Sequence, residues 1–399
     1  MNELPKWIKI GWILGRVFGW PLSWFKHKPC LLVIHLGSLG DGLLFTGAIR
    51  ELRKHEQGKQ IVLVVSERAY PLFQRCPHVN HVVAFAMGAD LWSRTKRVIQ
   101  ASRLFARRYE NVLSPNLAFF SGAPHVDACS DTGHLLHRQG GGPRRAMFLQ
   151  KTDFVLLALL GGVELKTATP WVDPCSPHQL DRMVHFLQAA GFNHIKSRLD
   201  IWPEIYVTAT ERDEAAAEVN QLRQHNPDVW VVAVCAGARF KQKDWGDQNF
   251  IELLVRLAKG RSVAAILLGG EHDKLTTKAI EAGLMVHAVT GAVTVLNKAG
   301  RTGLNAAMAL IEQADACIGN DTFGLHVAIA VGTPSVVVMW GGDHERWVPW
   351  GDPWKHRMVR SDDRACFGCR GECIHPEYRC TMDITVDDVL KEVLSLPCR

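Results

Sequence analysis

The chain has 399 residues, a length for about two domains, each able to bury its own core. With 47% hydrophobic and 22% charged residues it is globular in composition, which excludes a disordered or fibrous chain. No apolar run reaches the roughly 18–20 uncharged residues a membrane-spanning helix needs. The formal charge is +6, and residues 1–28 carry Lys6, Lys9, Arg16, Lys26 and Lys28 against Glu3 alone. Eleven cysteines in a chain without a secretory signal imply a reducing compartment and mostly thiols, so a cytoplasmic address is expected.

Residues 5–25 (PKWIKIGWILGRVFGWPLSWF) place Trp7, Trp12, Trp20 and Trp24 in one short stretch. On a helix, Ile10, Ile13, Leu14, Val17 and Phe18 gather on one side, while Lys9 and Arg16 interrupt what would otherwise be a signal-like run. Two readings stand: a helix docked on the protein's own surface, or peripheral attachment to an anionic headgroup layer, which tryptophan and lysine both favour. The second is the expectation, with residues 1–28 as a membrane-associating segment on the inner face of the cytoplasmic membrane.

From residue 30 apolar runs alternate with helical periodicity, the pattern of parallel sheets covered by helices. The predicted strands are Cys30–Leu36, Gln60–Val65, His81–Ala84, Asn111–Leu113, Val229–Cys235, Val263–Leu268, Ala316–Ile318 and Ser335–Trp340. Thr208–His225, charged, alanine-rich and free of glycine, is predicted as a helix leading out of an interdomain connection. The expected domains are therefore 29–206 and 207–364, followed by a cysteine-rich and helical tail, 365–399.

Three turns at strand ends carry the chemistry. In CLLVIHLGSLGDGLLFTGAIRELRK a buried strand runs into a glycine turn and a helix. Its G-x-x-G-x-G order fails the dinucleotide fingerprint and lacks the lysine of a phosphate loop, which counts against a dehydrogenase or an ATPase. Asp41 lies where open α/β sheets put their ligands, and either caps the helix or accepts a proton from a substrate hydroxyl. In VVAVCAGARFKQKDWGDQNF the cations Arg239, Lys241 and Lys243 precede a helix start, which makes either a diphosphate-sized anion site or a solvated basic turn. In ACIGNDTFGLHVAIAVGTPSVVV the residues Asn320, Asp321 and Thr322 can cap a short apolar helix, with Gly324 in its first turn. His326 follows one turn in, either as a satisfied core histidine or directed to the anion site.

Taken together these segments resemble glycosyltransferase family 9, the lipopolysaccharide heptosyltransferases. The shared features are the G-D turn, K-x-W at Lys243–Trp245, the strand end LLGGEHD and D-T-x-x-x-H from Asp321 to His326 followed by G-x-P, in order across residues 30–395. The resemblance implies an α/β GT-B architecture, two Rossmann-like domains with parallel sheets facing a cleft, the first binding acceptor and the second nucleotide sugar. It implies that Asp41 is the general base, with Gly40 beside it on the acceptor side. Lys243 with Arg239 would meet the diphosphate, Asp321, Thr322, Gly324 and His326 the donor phosphate and sugar, and Asp273 the ribose, where the family usually has glutamate. The final helix, from Thr385, is expected to cross back to the first domain. Two departures are visible: Gly47 replaces the proline usual after the threonine, and Thr290–Leu304, normally a short turn near the adenine, is extended.

The expected reaction is a single displacement that inverts the anomeric centre, moving a heptose-like sugar from an ADP-activated donor to a lipopolysaccharide core or related envelope hydroxyl. No cofactor is expected for catalysis. Residues 88–150 hold nine lysines and arginines against four acids, and Arg144 and Arg145 are the candidate contacts to an anionic lipid-linked glycan acceptor. No stacking platform accompanies them, so nucleic acid is not an expected partner. Cys366, Cys369, Cys373 and Cys380 have spacing compatible with a structural zinc or iron site, and equally with simple thiols or a redox pair. Similar clusters recur in some family members, iron-binding ones included. The competing readings are a same-fold transferase with another sugar or acceptor, and a catalytically silent scaffold that binds glycan.

Overall fold

A computed structural model describes residues 30–85, 111–115, 132–136, 145–148, 168–172, 178–189, 191–287, 293–343, 345–361, 366–369, 373–375 and 377–397. Residues 1–28, and most of 88–150 including Arg144, lie outside the described residues. The chain divides into two compact units, Met1–Pro203 and Glu204–Arg399.

The first unit is built on a seven-stranded sheet of order β3-β2-β1-β4-β6-β5-β7. Its strands are β1 (Cys30–His35), β2 (Gln60–Ser66), β3 (His81–Phe85), β4 (Asn111–Pro115), β5 (Thr132–Leu136), β6 (Arg145–Phe148) and β7 (Ala168–Val172). Helices α1 (Leu39–His55), α2 (Tyr70–Phe73) and α3 (Gln179–Ala189) accompany it. β1 is buried along its whole length, as a strand covered on both faces must be, so it reads as one apolar run.

The sheet is parallel apart from one inserted strand, β5, which runs antiparallel to both β6 and β7. Only residues 137–144 separate β5 from β6, fewer than the dozen or so a parallel crossover needs. The departure at Gly47 also has a cause. A Cβ there would lie 2.2 Å from the carbonyl oxygen of Ile201, because segment 200–202 crosses α1 at this point. Arg50 secures the crossing, donating to the carbonyls of Trp202 at 3.1 Å and Asp200 at 2.9 Å.

The second unit opens with α4 (Ala209–Arg223), started by a capping box between Thr208 and Glu211. Its six strands are all parallel: β8 (Trp230–Cys235), β9 (Val263–Leu267), β10 (Val293–Asn297), β11 (Ala316–Asn320), β12 (Ser335–Val338) and β13 (His356–Val359). The remaining helices are α5 (Asp247–Ala258), α6 (Lys274–His287), α7 (Leu304–Gln313), α8 (Phe323–Val331), α9 (Arg379–Met382) and α10 (Val386–Leu394). The order β10-β9-β8-β11-β12-β13 is the doubly wound one, in which connections leave in opposite directions from β8 and β11 and open a crevice at their carboxyl ends.

The tail does not behave as expected. α10 buries Val386, Val389 and Val393 in the core of the second unit, with Trp245, Phe250 and Leu254. It packs on this unit because its amphipathic face matches the apolar side of α5 and β13, and the Arg256–Asp387 ion pair adds to that docking. Among the described residues no helix is long and apolar enough to cross a membrane.

Candidate active site

The crevice of the second sheet lies between the ends of β8 and β11, and Lys243 sits there. It closes a short 3-10 turn, Lys241–Lys243, and its Nζ lies 2.9 Å from Asp321 Oδ2 and 3.0 Å from Asp343 Oδ2. The Trp340 ring covers the ammonium, its centroid 5.1 Å away. Burial alone would drive Lys243 toward neutrality, but the two carboxylates outweigh it and raise its pKa above the ordinary lysine value. For Asp321, burial favours the neutral form, yet the charge of Lys243 and the hydrogen bond from it hold its carboxyl below the ordinary value, and His326 would add to this only when protonated.

The K-x-W spacing has a structural reason. Trp245 is fully buried, packs edge-on against Phe250 at 5.0 Å and donates its indole N–H to the Ile384 carbonyl at 2.8 Å. It is the anchor from which the Lys243 turn projects. Asn320, expected to cap α8, instead braces this turn: its amide donates to the Ala236 carbonyl at 2.6 Å and accepts from Trp245 N at 3.2 Å. Both ends of the loop are thereby tied to β11.

Thr322 is the N-cap of α8 but makes no side-chain bond to the first-turn N–H groups; its hydroxyl donates to the Asn320 carbonyl at 3.3 Å. Gly324 packs against Cys235, and His326, one turn in, is 5% exposed. Trp350 donates its indole N–H to His326 Nδ1 at 3.0 Å. Asp273 is buried at the end of β9, where it lies against Gly237 and accepts from Gly270 N at 2.7 Å. Arg239 is exposed, its guanidinium 5.7 Å from the Phe240 ring.

In the first unit Asp41 stands in the first turn of α1, beyond the end of β1, next to Gly40. Its Oδ2 accepts from Ser38 N at 2.7 Å, and the Ser38 hydroxyl faces Asp41 N in return, so the carboxylate does cap the helix. A cap of this kind uses one carboxylate oxygen; Oδ1 makes no hydrogen bond among the described residues. Behind it lies a residue that motif reading passed over. His35 is 2% exposed and stacks on Phe45 at 4.7 Å. A Cβ on Gly37 would lie 2.8 Å from both His35 Cε1 and Asp41 Cβ, so only glycine lets the two side chains flank this turn. Burial pushes His35 down to about 4 against the pull of Asp41.

Arg145 is the first residue of β6. The metal reading of the cysteine cluster finds no support: among the described residues no three His, Cys, Asp or Glu side chains gather as metal ligands. Cys373 Sγ turns to the backbone of His375 instead, at 3.0 Å from its carbonyl, and Cys380 is buried beside Phe367 over Gly341. Four thiols are a suitable donor set for zinc or iron, but as placed here they are not gathered round one point.

The model of glycosyltransferase family 9 (heptosyltransferase) matches residues 162–377, more than half of the chain. The chain belongs to this family. Lipopolysaccharide heptosyltransferase 2 of Escherichia coli strain K12 is 24% identical over 379 residues, covering 92% of this chain and 98% of that protein. Among solved structures, a family 9 glycosyl transferase from Veillonella parvula superposes with a TM-score of 0.67 at 16% identity, over 94% of this chain and 98% of that one. An E. coli heptosyltransferase solved with ADP superposes with a TM-score of 0.57 at 15% identity, over 92% and 99%. The family 9 protein is accordingly a glycosyltransferase of the GT-B fold, with two Rossmann-like units. Asp343 beside Lys243 and Trp350 beside His326 escaped motif reading. Asp343, in the G-G-D turn after β12, falls under the same strand-end rule that pointed to Asp41 and Asp321, whereas nothing local marks Trp350.

Proposed function

We propose that this transferase moves a heptose-like sugar from an ADP-activated donor to a hydroxyl of lipopolysaccharide core or a related envelope glycan, with inversion. The observation that carries the reading is the Lys243–Asp321 pair, 2.9 Å apart at the crevice of the second sheet beside the start of α8. A fixed cation and a helix N-terminus at such a crevice are what a departing nucleoside diphosphate needs, since its negative charge grows as the sugar bond breaks. Thr322 and Gly324 would set backbone donors toward the phosphates, Arg239 would close over them from the surface, and Asp321 and His326 would meet the sugar. Asp273 would accept from the ribose hydroxyls.

In the first unit Asp41 would act as base. A carboxylate is a far weaker base than an alkoxide and cannot ionise a hydroxyl in advance, so the proton moves late. The acceptor oxygen bonds to the anomeric carbon, the bond to the diphosphate breaks, ADP leaves and the hydroxyl proton passes to the Asp41 carboxylate. Gly40, Arg144 and Arg145 would hold an anionic acceptor. Residues 1–28 would keep the enzyme at the inner face of the cytoplasmic membrane, where a lipid-linked acceptor is presented, and sedimentation of the full chain and of a chain lacking 1–28 with anionic vesicles separates that role from a docked helix.

The deciding experiment is calorimetric titration with ADP, UDP and GDP in parallel, with EDTA present. Selective ADP binding supports the donor assignment; preference for UDP or GDP moves the donor to another sugar, and binding of none returns the protein to a silent scaffold.

A further inference from the structure

His326 and Trp350 are both buried, 5% and 4% exposed, and their rings lie nearly parallel, 17° apart with centroids 6.0 Å distant. The Trp350 indole N–H points at His326 Nδ1 over 3.0 Å. An indole nitrogen only donates, so Nδ1 has to be the accepting, unprotonated nitrogen of the imidazole. The neutral ring then carries its proton on Nε2. An imidazolium would set a second N–H against the indole N–H where little water can intervene, which is the costly arrangement in a buried place.

The surroundings pull in both directions. Asp321 is close enough to interact with His326 electrostatically and favours a charged ring, whereas the Lys243 ammonium, paired to Asp321 and Asp343, already supplies the cation of this site. Trp350 adds a directional N–H that only the neutral ring can accept. We propose that Trp350 is a positioning residue for the donor site: it fixes His326 as the neutral imidazole protonated on Nε2, so that the ring meets the nucleotide sugar as an uncharged hydrogen-bond donor. This rests on the reading above that His326 lies in the donor site.

The test uses the full chain labelled with 15N-histidine, with the His326 signals assigned by their loss in His326→Gln. Long-range proton–nitrogen correlation spectra at about pH 7 are expected to show a single Nε2-protonated neutral tautomer, and in Trp350→Phe, which keeps a ring but lacks the N–H, exchange between tautomers. The dissociation constant for ADP-heptose is expected to rise about fivefold in Trp350→Phe, the effect of one ordinary hydrogen bond. An Nδ1-protonated or charged His326 in the parent protein overturns the proposal without any variant. So does a Trp350→Phe protein with unchanged tautomer or unchanged affinity. A parent protein that binds neither ADP nor ADP-heptose overturns the donor-site reading instead, an outcome read separately from the tautomer.

Discussion

Thr381, in the tail of the chain, donates its hydroxyl to the carbonyl of Gln242 at 2.7 Å, one residue before Lys243. Gly368 N likewise bonds the Gly341 carbonyl at 2.8 Å, two residues before Asp343. The cysteine-rich tail is therefore a brace for both sides of the lysine site. Thr381→Val keeps the shape of a fully buried side chain but leaves the Gln242 carbonyl without its donor, at a cost of about 1–3 kcal/mol. The expected outcome is that loss in urea unfolding together with weaker ADP binding. If stability falls and ADP affinity does not, the tail supports the fold and not the site.

Asp41 is a helix cap, and it is proposed as a base, so the two roles have to be separated. Asp41→Asn keeps an oxygen that can accept from Ser38 N, whereas Asp41→Ala removes it and should cost about 0.5–2 kcal/mol of stability. Both variants are expected to lose sugar transfer while binding ADP normally, and only the alanine variant should melt earlier. Turnover by Asp41→Asn at the parent rate would remove the carboxylate from the chemistry.

The central strands were legible because buried parallel strands are continuous apolar runs, and β1, β8 and β9 are of that kind. β5 (TGHLL), β6 (RAMF) and β7 (ATPWV) are short and broken by glycine, proline or charge, and only pairing makes them strands. β10 lies inside the extended stretch that read as a turn, since VTVLN is a five-residue edge strand with one buried residue. At the site, Lys243 and Asp321 were visible as motifs 78 positions apart, but their contact is set by the adjacency of β8 and β11. Asn320 is illegible for a similar reason: its partners belong to another strand's loop, and a cap is the only role that local sequence offers.

The pH dependence of stability follows from His35. Its pKa is about 4 in the folded protein and about 6.5 when unfolded, so between these values the unfolded chain binds more protons. Stability is then full above about pH 6.5 and declines as pH falls toward about 4, by up to about 3 kcal/mol for this fully buried ring. His356, also lowered to about 4 by burial, acts in the same direction with a smaller effect because it is partly exposed. Melting temperatures across this range should show the decline, and His35→Leu, of similar volume, should flatten most of it. An equally steep decline in His35→Leu would assign the effect to other groups.

Lys243 is clamped by two carboxylates, and only one of them belongs to the D-T-x-x-x-H motif. Removing the lysine leaves Asp321 and Asp343 facing each other in a buried place, so Lys243→Gln should destabilise the second unit by about 3–5 kcal/mol, as breaking buried pairs does. ADP binding should weaken by about 1.5–3 kcal/mol, the scale of a charged hydrogen bond. Asp343→Asn removes one of the two anions that compete with a diphosphate for the same ammonium, and keeps a polar side chain against it. It is therefore expected to bind ADP more tightly than the parent protein, by several-fold, although it gives up an ion pair. Calorimetry on the two variants and their combination checks both effects. If Asp343→Asn weakens ADP while Lys243→Gln also does, Asp343 serves to orient the lysine; if Lys243→Gln leaves ADP binding unchanged, the diphosphate lies elsewhere.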